Sequence, residues 1–179
     1  PAAPRNKGIS IARGHVVALL DDDVLPDQDL LLTIARHHQQ FPQLEECALG
    51  VAYVPESMKK EPVSVFHEFD YTALSHLEKA SYIYFWTCNI SFKRNFMLEH
   101  GMFDERFLYN EDIVCGHALH GAGMSLRFNA NARGQHLHQL DLKNVPKKAR
   151  FIGRWIWATT QEVRSREVLD RYGVLTPDL

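Results

Sequence analysis

The stretch that decides the fold is "HVVALLDDDV" (His15–Val24), in which an apolar run is followed directly by three carboxylates. The run Val16–Leu20 has no alternation of polar and apolar residues, which is typical of a strand covered on both faces in a parallel sheet. Asp21, Asp22 and Asp23 follow it, and like charges this close raise one another's pKa unless a cation compensates. The triplet is therefore either a solvated turn with an aspartate cap for the next helix, or part of a site for Mg²⁺ or Mn²⁺.

The rest of the chain alternates between strand-like and helix-like segments. Such alternation is typical of an α/β domain with a largely parallel sheet, here followed by a helical tail. The predicted strands are His15–Leu20, Cys47–Pro55, Tyr82–Trp86, Asn89–Phe92 and Met124–Asn129. The predicted helices are Ile9–Gly14, Pro26–Phe41, Val63–Lys79, Arg94–His100, Asn110–Gly123 and a long last one from about Asn144 to Tyr172.

Composition excludes several classes of protein. The chain has 179 residues, of which 45% are hydrophobic and 23% charged, as in one ordinary globular domain. Its net charge of −2 argues against a nucleic-acid binder, and no stretch approaches the roughly 20 apolar residues of a membrane span. Cys47, Cys88 and Cys115 form no CxxC pair, which favours reduced thiols in a cytoplasmic protein. Because the chain begins at Pro1 without an initiator methionine, we expect that something precedes it.

A second acidic motif lies in "FLYNEDIVCGHALHGAG", where Glu111 and Asp112 come at the predicted start of a helix. Acids are favoured there by the helix macrodipole alone, at roughly 0.3–1 kcal/mol. The functional alternative is a carboxylate that acts as a general base. We expect the helix terminus to hold the pKa of Asp112 down, so that it accepts a proton at neutral pH.

The third motif is "ARGQHLHQ", in which His136 and His138 alternate. In a strand, residues two apart point to the same face. Two histidines on one face make metal ligation feasible, with a carboxylate supplied from elsewhere. The plainer alternative is a pair of exposed polar residues after a strand.

The tail carries positive charge and aromatic rings together. Residues 143–161 contain five basic residues and no acidic one, interleaved with Phe151, Trp155 and Trp157. This pattern is compatible with an amphipathic helix packed on its own domain. It is also compatible with peripheral contact to an anionic membrane surface.

Taken in order, these motifs resemble the family 2 glycosyltransferases of the GT-A fold. The segment "RNKGISIARGHVVALLDDD" (5–23) is similar to the family's Arg-Asn-x-Gly segment and to its strand that ends in an Asp-x-Asp motif. The segment 87–123 is similar to the stretch from the glycine loop through "GxFDE" to the Glu-Asp motif, and "ANARGQHLHQ" (130–139) to the terminal histidine motif. The resemblance runs from about Pro1 to His138.

The resemblance implies a role for each matching residue. Asp21 and Asp23, completed by His136, would hold Mn²⁺ or Mg²⁺, with His138 as the second choice for the histidine ligand. Asp112 would be the catalytic base, and Glu111 would orient the acceptor. The residues on the nucleotide-sugar side would be Arg5, Asn6, Asp21, Asp22, Cys88 and Asn89.

It also implies a fold and a reaction. The fold would be a Rossmann-like, mixed but mostly parallel sheet flanked by helices, N-terminally truncated because the family's first strands come before the Arg-Asn-x-Gly segment. Residues 1–142 would form the catalytic domain and residues 143–179 a helical extension. The reaction would be inverting transfer of a sugar from a nucleotide-diphosphate donor, most commonly a UDP-sugar, to a hydroxyl of a glycan or lipid-linked acceptor in polysaccharide synthesis.

Two other classes of function are compatible with the sequence. The family usually has glycine where this chain has Cys88, and with the missing strands this favours weak activity of the fragment, or a non-catalytic domain that binds nucleotide or glycan. A phosphohydrolase that uses the acidic triplet as a metal site is the third class, but it leaves the Glu-Asp and histidine motifs unexplained. The location expected for the enzyme is cytoplasmic, peripheral at the inner face of the membrane.

Overall fold

The computed structural model describes residues 2–59, 70–137, 143 and 145–174. A five-stranded mixed sheet is flanked by helices, which confirms the α/β class. The strands are β1 (Val16–Leu20), β2 (Val24–Pro26), β3 (Glu46–Tyr53), β4 (Asn89–Lys93) and β5 (Ser125–His136). The helices are α1 (Ala2–Ile11), α2 (Leu30–Gln40), α3 (Arg94–His100), α4 (Glu111–Gly121), α5 (Val145–Val163) and α6 (Arg166–Tyr172).

The strand order β1-β4-β3-β5-β2 brings the ends of three strands together. β3 pairs with β5 in parallel, and β4 lies antiparallel between β1 and β3. β1, β3 and β5 therefore run in the same direction, and their carboxyl ends lie at one end of the sheet. The acidic triplet follows β1 at this end, where ligands bind in open α/β sheets.

The expectation of a mostly parallel sheet is wrong for the described strands. Three of the four ladders are antiparallel, namely β1 with β4, β3 with β4 and β2 with β5. The strand Val16–Leu20 lies at an edge of the sheet, and Ala18 in its centre is exposed. A continuous apolar run indicates burial but does not specify the direction of the neighbouring strand, which is why the sequence pattern misled here.

Several predicted boundaries also differ. Residues 82–84 form a single 3₁₀ turn instead of a strand, and the first helix starts at Ala2. The long last helix is two helices, because Arg164 between α5 and α6 has a left-handed φ of 46°. Residues 63–69 of the predicted helix 63–79 lie outside the described part. The remainder contains only the 3₁₀ turn Thr72–Leu74.

The core packs the inner strands against α4. Phe85, Phe92 and Leu126 are fully buried in it. Gly116 of α4 makes close packing possible, since a Cβ there would lie 2.7 Å from the Cβ of Phe85. All three cysteines are free and buried in this core, as the sequence predicted.

A buried polar group, which we call the histidine cluster, lies at the opposite end of the sheet from the acidic triplet. It consists of His37, His38, Glu46 and Ser91. The Nε2 atom of His37 lies 3.0 Å from Glu46 Oε1, and that of His38 lies 3.0 Å from Ser91 Oγ. Arg127 adds a second cation, with its Nε 3.4 Å from Glu46 Oε1. Most of these polar groups therefore have partners within the fold. Among the described residues, His38 Nδ1 and Arg127 Nε have no hydrogen-bond partner.

Candidate active site

Backbone hydrogen bonds hold the turn that carries the acidic triplet on both sides. The N–H of Asp21 donates to the carbonyl of Cys88 at the start of β4, over 3.2 Å. The N–H of Leu137, just after β5, donates to the carbonyl of Asp23 over 2.8 Å. The N–H of Val24 closes the turn itself by donating to the carbonyl of Asp21. The backbone at Asp21 and Asp23 is thus held in place, and the side chain of Asp22 is exposed.

Arg5 connects the acidic turn to the start of α4. Its Nη2 donates to Asp21 Oδ1 at 3.0 Å, and its Nη1 makes a short contact with Glu111 Oε1. The guanidinium also lies over the ring of Phe103, 5.8 Å from the centroid. Arg5 thus pairs with a carboxylate 106 positions further along the chain, as expected from charge-assisted pairing of arginine with carboxylates.

These groups line a pocket of about 330 Å³, which we call the acid pocket. Its charged residues are Arg5, Asp21, Glu111, Asp112 and Arg171, and its aromatic residues are Trp86, Tyr109 and Tyr172. Three carboxylates thus share two guanidinium groups. The structure brings Asp21, Glu111 and Asp112 into one pocket, which Asp23 and His136 do not line.

Asp112 has an unusual carboxyl group for a helix start. Burial and the neighbouring Glu111 raise its pKa to about 6, although hydrogen bonds from the N–H groups of Ile113 and Thr87 and the charge of Arg5 act in the opposite direction. The expectation that the helix terminus would hold this pKa down is wrong. Desolvation of the charged form exceeds the stabilisation that the helix start provides. A pKa near 6 still suits a general base, because the best base has a pKa near the working pH.

Asp23 and His136 meet two residues further along the turn from Asp21. Val24 pairs with His136 in the ladder between β2 and β5, and this register places His136 Nε2 3.5 Å from Asp23 Oδ1. One carboxylate and one imidazole fit a metal that takes its other ligands from phosphates and water, as Mg²⁺ usually does. Within residues 2–59, 70–137, 143 and 145–174, no group of three or more side chains forms a metal cluster. The alternative ligand His138 lies outside the described residues.

Three residues predicted on the nucleotide-sugar side point into the fold instead. The amide of Asn6 exchanges two hydrogen bonds with the backbone of Phe103, at 2.8 and 2.9 Å. Asn89 is 2% exposed and donates to the carbonyls of Val51 and Ala132, where the ladder between β3 and β5 shifts its register. Cys88 is buried, and its burial raises the pKa of the thiol. None of the three side chains lines the acid pocket.

The pocket also contains residues that the sequence motifs did not reveal. Trp86 directly precedes the segment 87–123, and Tyr109 lies inside it without a predicted role. Arg171 and Tyr172 come from α6, outside the region of family resemblance. The aromatic run "YIYFW" (82–86) was the available signal for the first of them, but it was interpreted as a strand. No local pattern marks the contribution of α6, because it depends on tertiary packing.

Comparisons with known proteins agree with the class predicted from the sequence, a transferase of the glycosyltransferase type. The chain is 28% identical to the glucosyl-dolichyl phosphate glucuronosyltransferase of Haloferax volcanii, over 74% of this chain and 46% of that protein. Its fold is similar to the solved mannosyltransferase PcManGT of Pyrobaculum calidifontis in complex with GDP-Man and Mn²⁺, with a TM-score of 0.59 and 14% identity. This likeness covers 94% of the chain and 46% of the neighbour. No family model matches. The chain thus spans just under half the length of each relative.

Proposed function

We propose that this chain carries the catalytic site of an inverting, metal-dependent family 2 glycosyltransferase. The observation that carries the proposal is the position of Asp112. Its carboxyl has a pKa of about 6 and lines the same pocket as Asp21. Asp21 begins the turn whose last carboxylate, Asp23, pairs with His136 of β5. A base and a candidate metal site thus lie at the same end of the sheet. Both relatives are glycosyltransferases, which supports the same class of reaction.

In this reaction Asp112 removes the proton of the acceptor hydroxyl. The acceptor oxygen attacks the anomeric carbon of the donor sugar from one face, and the bond from that carbon to the diphosphate breaks on the other face. The leaving diphosphate keeps the electron pair, and the proton ends on the Asp112 carboxylate. General-base catalysis of this kind typically contributes about 10²–10⁴-fold.

Arg5 and Glu111 position the reacting groups. Because Arg5 neutralises part of the charge of Asp21 and Glu111, the acceptor hydroxyl can approach Asp112 with less repulsion of its developing negative charge. Glu111 is 7% exposed and directly precedes the base, so it is placed to accept a hydrogen bond from a second acceptor hydroxyl.

Asp23 and His136 would hold the divalent metal, with Asp21 as a further ligand as the resemblance implies. Mn²⁺ or Mg²⁺ bound there would act as the Lewis acid that stabilises charge on the leaving diphosphate. The Mn²⁺ and GDP-Man in the solved neighbour support a nucleotide-sugar donor and a divalent metal. UDP remains the nucleotide of the donor that the sequence resemblance favours.

The helical extension 143–179 belongs to this proposal as the part that approaches the membrane. Phe151 and Trp157 on α5 are 43% and 58% exposed, next to the basic residues Lys147 and Arg154. Within the described part of the chain, no helix is long and apolar enough to cross a bilayer. We propose peripheral contact of segment 143–161 with an anionic cytoplasmic leaflet, which would suit a lipid-linked acceptor such as the one named for the Haloferax relative.

The test is sugar transfer by the full-length protein, screened with UDP-, GDP- and dTDP-sugars and Mn²⁺. We expect Asp112→Asn to reduce transfer by about 10²–10⁴-fold, and Asp23→Ala to remove the dependence on Mn²⁺ together with most of the activity. In the wild type, kcat/KM should fall as the pH drops below about 6, because Asp112 must be ionised. Glu78→Gln, on a side chain that is 83% exposed and outside the acid pocket, is the control. Full activity of Asp112→Asn would remove Asp112 as the base.

A second candidate function is a non-catalytic domain that binds nucleotide or glycan. Its support is the double ion pair of Arg5, which engages Asp21 and Glu111 within the fold. Calorimetric titration of UDP with and without Mn²⁺ separates the candidates. Metal-dependent binding with no turnover of any donor would favour the binding domain.

A further inference from the structure

Besides its carboxylates, the acid pocket has aromatic lining residues, which we call the aromatic wall. Trp86 precedes β4, Tyr109 precedes α4, and Tyr172 ends α6. Arg171 completes this wall. Neither the sequence motifs nor the relatives assign these residues a role.

Helix α6 is fixed against the domain, so its contribution to the wall has a defined position. Val168 and Leu169 are 0% and 3% exposed, and the hydroxyl of Tyr82 bonds to Ser165 Oγ at 2.5 Å. Arg171 Nη1 donates to the carbonyl of Ile83 at 3.1 Å. A short helix with two buried apolar residues and two polar attachments is held as part of the core.

The guanidinium of Arg171 is held among aromatic rings. Its Cζ lies 5.3 Å from the ring centroid of Trp86 and 5.9 Å from that of Tyr172. Cation–π contacts of this kind orient both the cation and the rings. The wall therefore holds aromatic rings and the donors of a guanidinium group close together at the pocket.

The phenols of this wall line the same pocket as the proposed base. Burial, followed by the charge of Asp112, raises the pKa of Tyr109. Burial also raises the pKa of Tyr172, with a further contribution from Asp112 against the opposing charge of Arg171, so both hydroxyls lie within electrostatic range of the Asp112 carboxylate. Asn110, between Tyr109 and Glu111, has a left-handed φ of 60° and is 7% exposed. Within the described residues its amide nitrogen has no hydrogen-bond partner. A strained backbone and an unsatisfied polar group are features that cluster at ligand sites.

We propose that Trp86, Tyr109, Arg171 and Tyr172 form the acceptor subsite, and that it binds one neutral pyranose ring of a glycan. The inference rests on the proposed function, because it places the acceptor hydroxyl at Asp112. The C–H face of a pyranose packs on aromatic rings, while its hydroxyls bond to carboxylate, phenol and guanidinium groups.

Size and charge favour this ligand over the donor. The pocket, at about 330 Å³, is at the small end of the range of roughly 300–1,000 Å³ for ligand pockets, which suits a single ring. Asp21, Glu111 and Asp112 outnumber the two guanidinium groups, so an anionic diphosphate would be repelled there. A neutral sugar meets no such repulsion.

Saturation-transfer NMR of the full-length protein with methyl pyranosides tests this subsite without donor or metal. The probes are the methyl glycosides of glucose, mannose, galactose and N-acetylglucosamine. We expect at least one to bind the wild type, Tyr172→Ala to raise its dissociation constant at least tenfold, and Tyr172→Phe to restore it to within threefold. Tyr109→Ala should give a similar loss of affinity, and this variant leaves the sequence of α6 unchanged.

Leu31→Ala is the control, because Leu31 of α2 is apolar and 75% exposed but does not line the pocket. In transfer assays, Tyr172→Ala should raise the acceptor KM at least tenfold and change the donor KM less than twofold. Sugar binding that depends on Tyr172 in a protein with no transfer activity would contradict the proposed function but support the subsite. Unchanged pyranoside binding and acceptor KM in both alanine variants, or no binding of any probe by the wild type, would overturn the subsite.

Discussion

The acid pocket and the histidine cluster lie at opposite ends of the same sheet and treat buried charge in opposite ways. In the histidine cluster, Glu46 is 2% exposed and is matched by His37 and Arg127. In the acid pocket, three carboxylates share two guanidinium groups around an open volume. A buried carboxylate that is paired within the fold serves the fold, whereas an excess of one sign facing a pocket is available for a ligand.

The largest effect should come from breaking the matched end. We expect Glu46→Ala to lower the free energy of unfolding by about 3–5 kcal/mol, because it leaves the buried imidazole of His37 and the partly buried guanidinium of Arg127 without their carboxylate. Urea denaturation followed by circular dichroism measures this. Glu78→Ala removes the exposed carboxylate partner of the same Arg127 and should cost less than about 1 kcal/mol. Equal losses in the two variants would contradict the comparison.

In the acid pocket, removal of a carboxylate charge should raise the free energy of unfolding instead of lowering it. The folded pKa of Asp112 is raised to about 6, so the charged form costs stability at neutral pH, and Asp112→Asn should stabilise the fold by an amount on the order of 1–3 kcal/mol at pH 7. The gain should vanish below about pH 4, where the native carboxyl is also neutral. Urea midpoints of both proteins from pH 4 to 8 measure it. A destabilised variant at pH 7 would show that the buried charge is fully compensated.

A smaller effect on stability is expected in the histidine cluster when the pH is lowered. Burial, followed by the charges of Lys93 and His37, lowers the pKa of His38 to about 4. The stability contributed by neutral His38 is therefore present above about pH 6.5 and is lost as the pH falls toward 4. We expect His38→Gln to reduce this loss in the free energy of unfolding by an amount on the order of 1–2 kcal/mol. Thermal melts of wild type and variant at pH 7 and pH 4.5 provide the measurement, and parallel melting curves would contradict it.

The smallest effect is expected at a surface pair. Arg166 and Asp170 bond at 2.9 Å on α6, but both side chains are more than 60% exposed. We expect Arg166→Ala to change the free energy of unfolding by about 0.5 kcal/mol or less, decreasing further at high salt. Urea denaturation at low and at 1 M salt measures this. A loss comparable to that of Glu46→Ala would mean that α6 depends on this pair.

The residues near the acidic turn could be predicted from the sequence because their motifs are local. Asp23 and His136 are more than a hundred residues apart and lie 3.5 Å from each other, as the ordered motifs implied. The direction of β4 could not be predicted, since an apolar run is buried equally well beside a parallel or an antiparallel neighbour. Asn6 and Asn89 match motif positions, but their amides bond to backbone groups that only the folded chain brings near.

Arg171 and Tyr172 show a different limit of the sequence. Their short helix is placed by contacts of Val168, Leu169 and Ser165 with distant segments, which no spacing in the sequence encodes. The pKa of Asp112 was predicted in the wrong direction for the same reason. The helix start is visible in the sequence, whereas the desolvation that dominates comes from the surrounding fold.

The two backbone clamps on the acidic turn have a consequence for ligand affinity. Because the bonds from Asp21 to Cys88 and from Leu137 to Asp23 hold the backbone of the turn, the conformational entropy of that backbone is lost during folding and not during association. A ligand at this turn thus meets a preorganised array. Its affinity is coupled to the integrity of two distant strand ends, so loosening either β4 or β5 would weaken binding without altering a single contacting side chain.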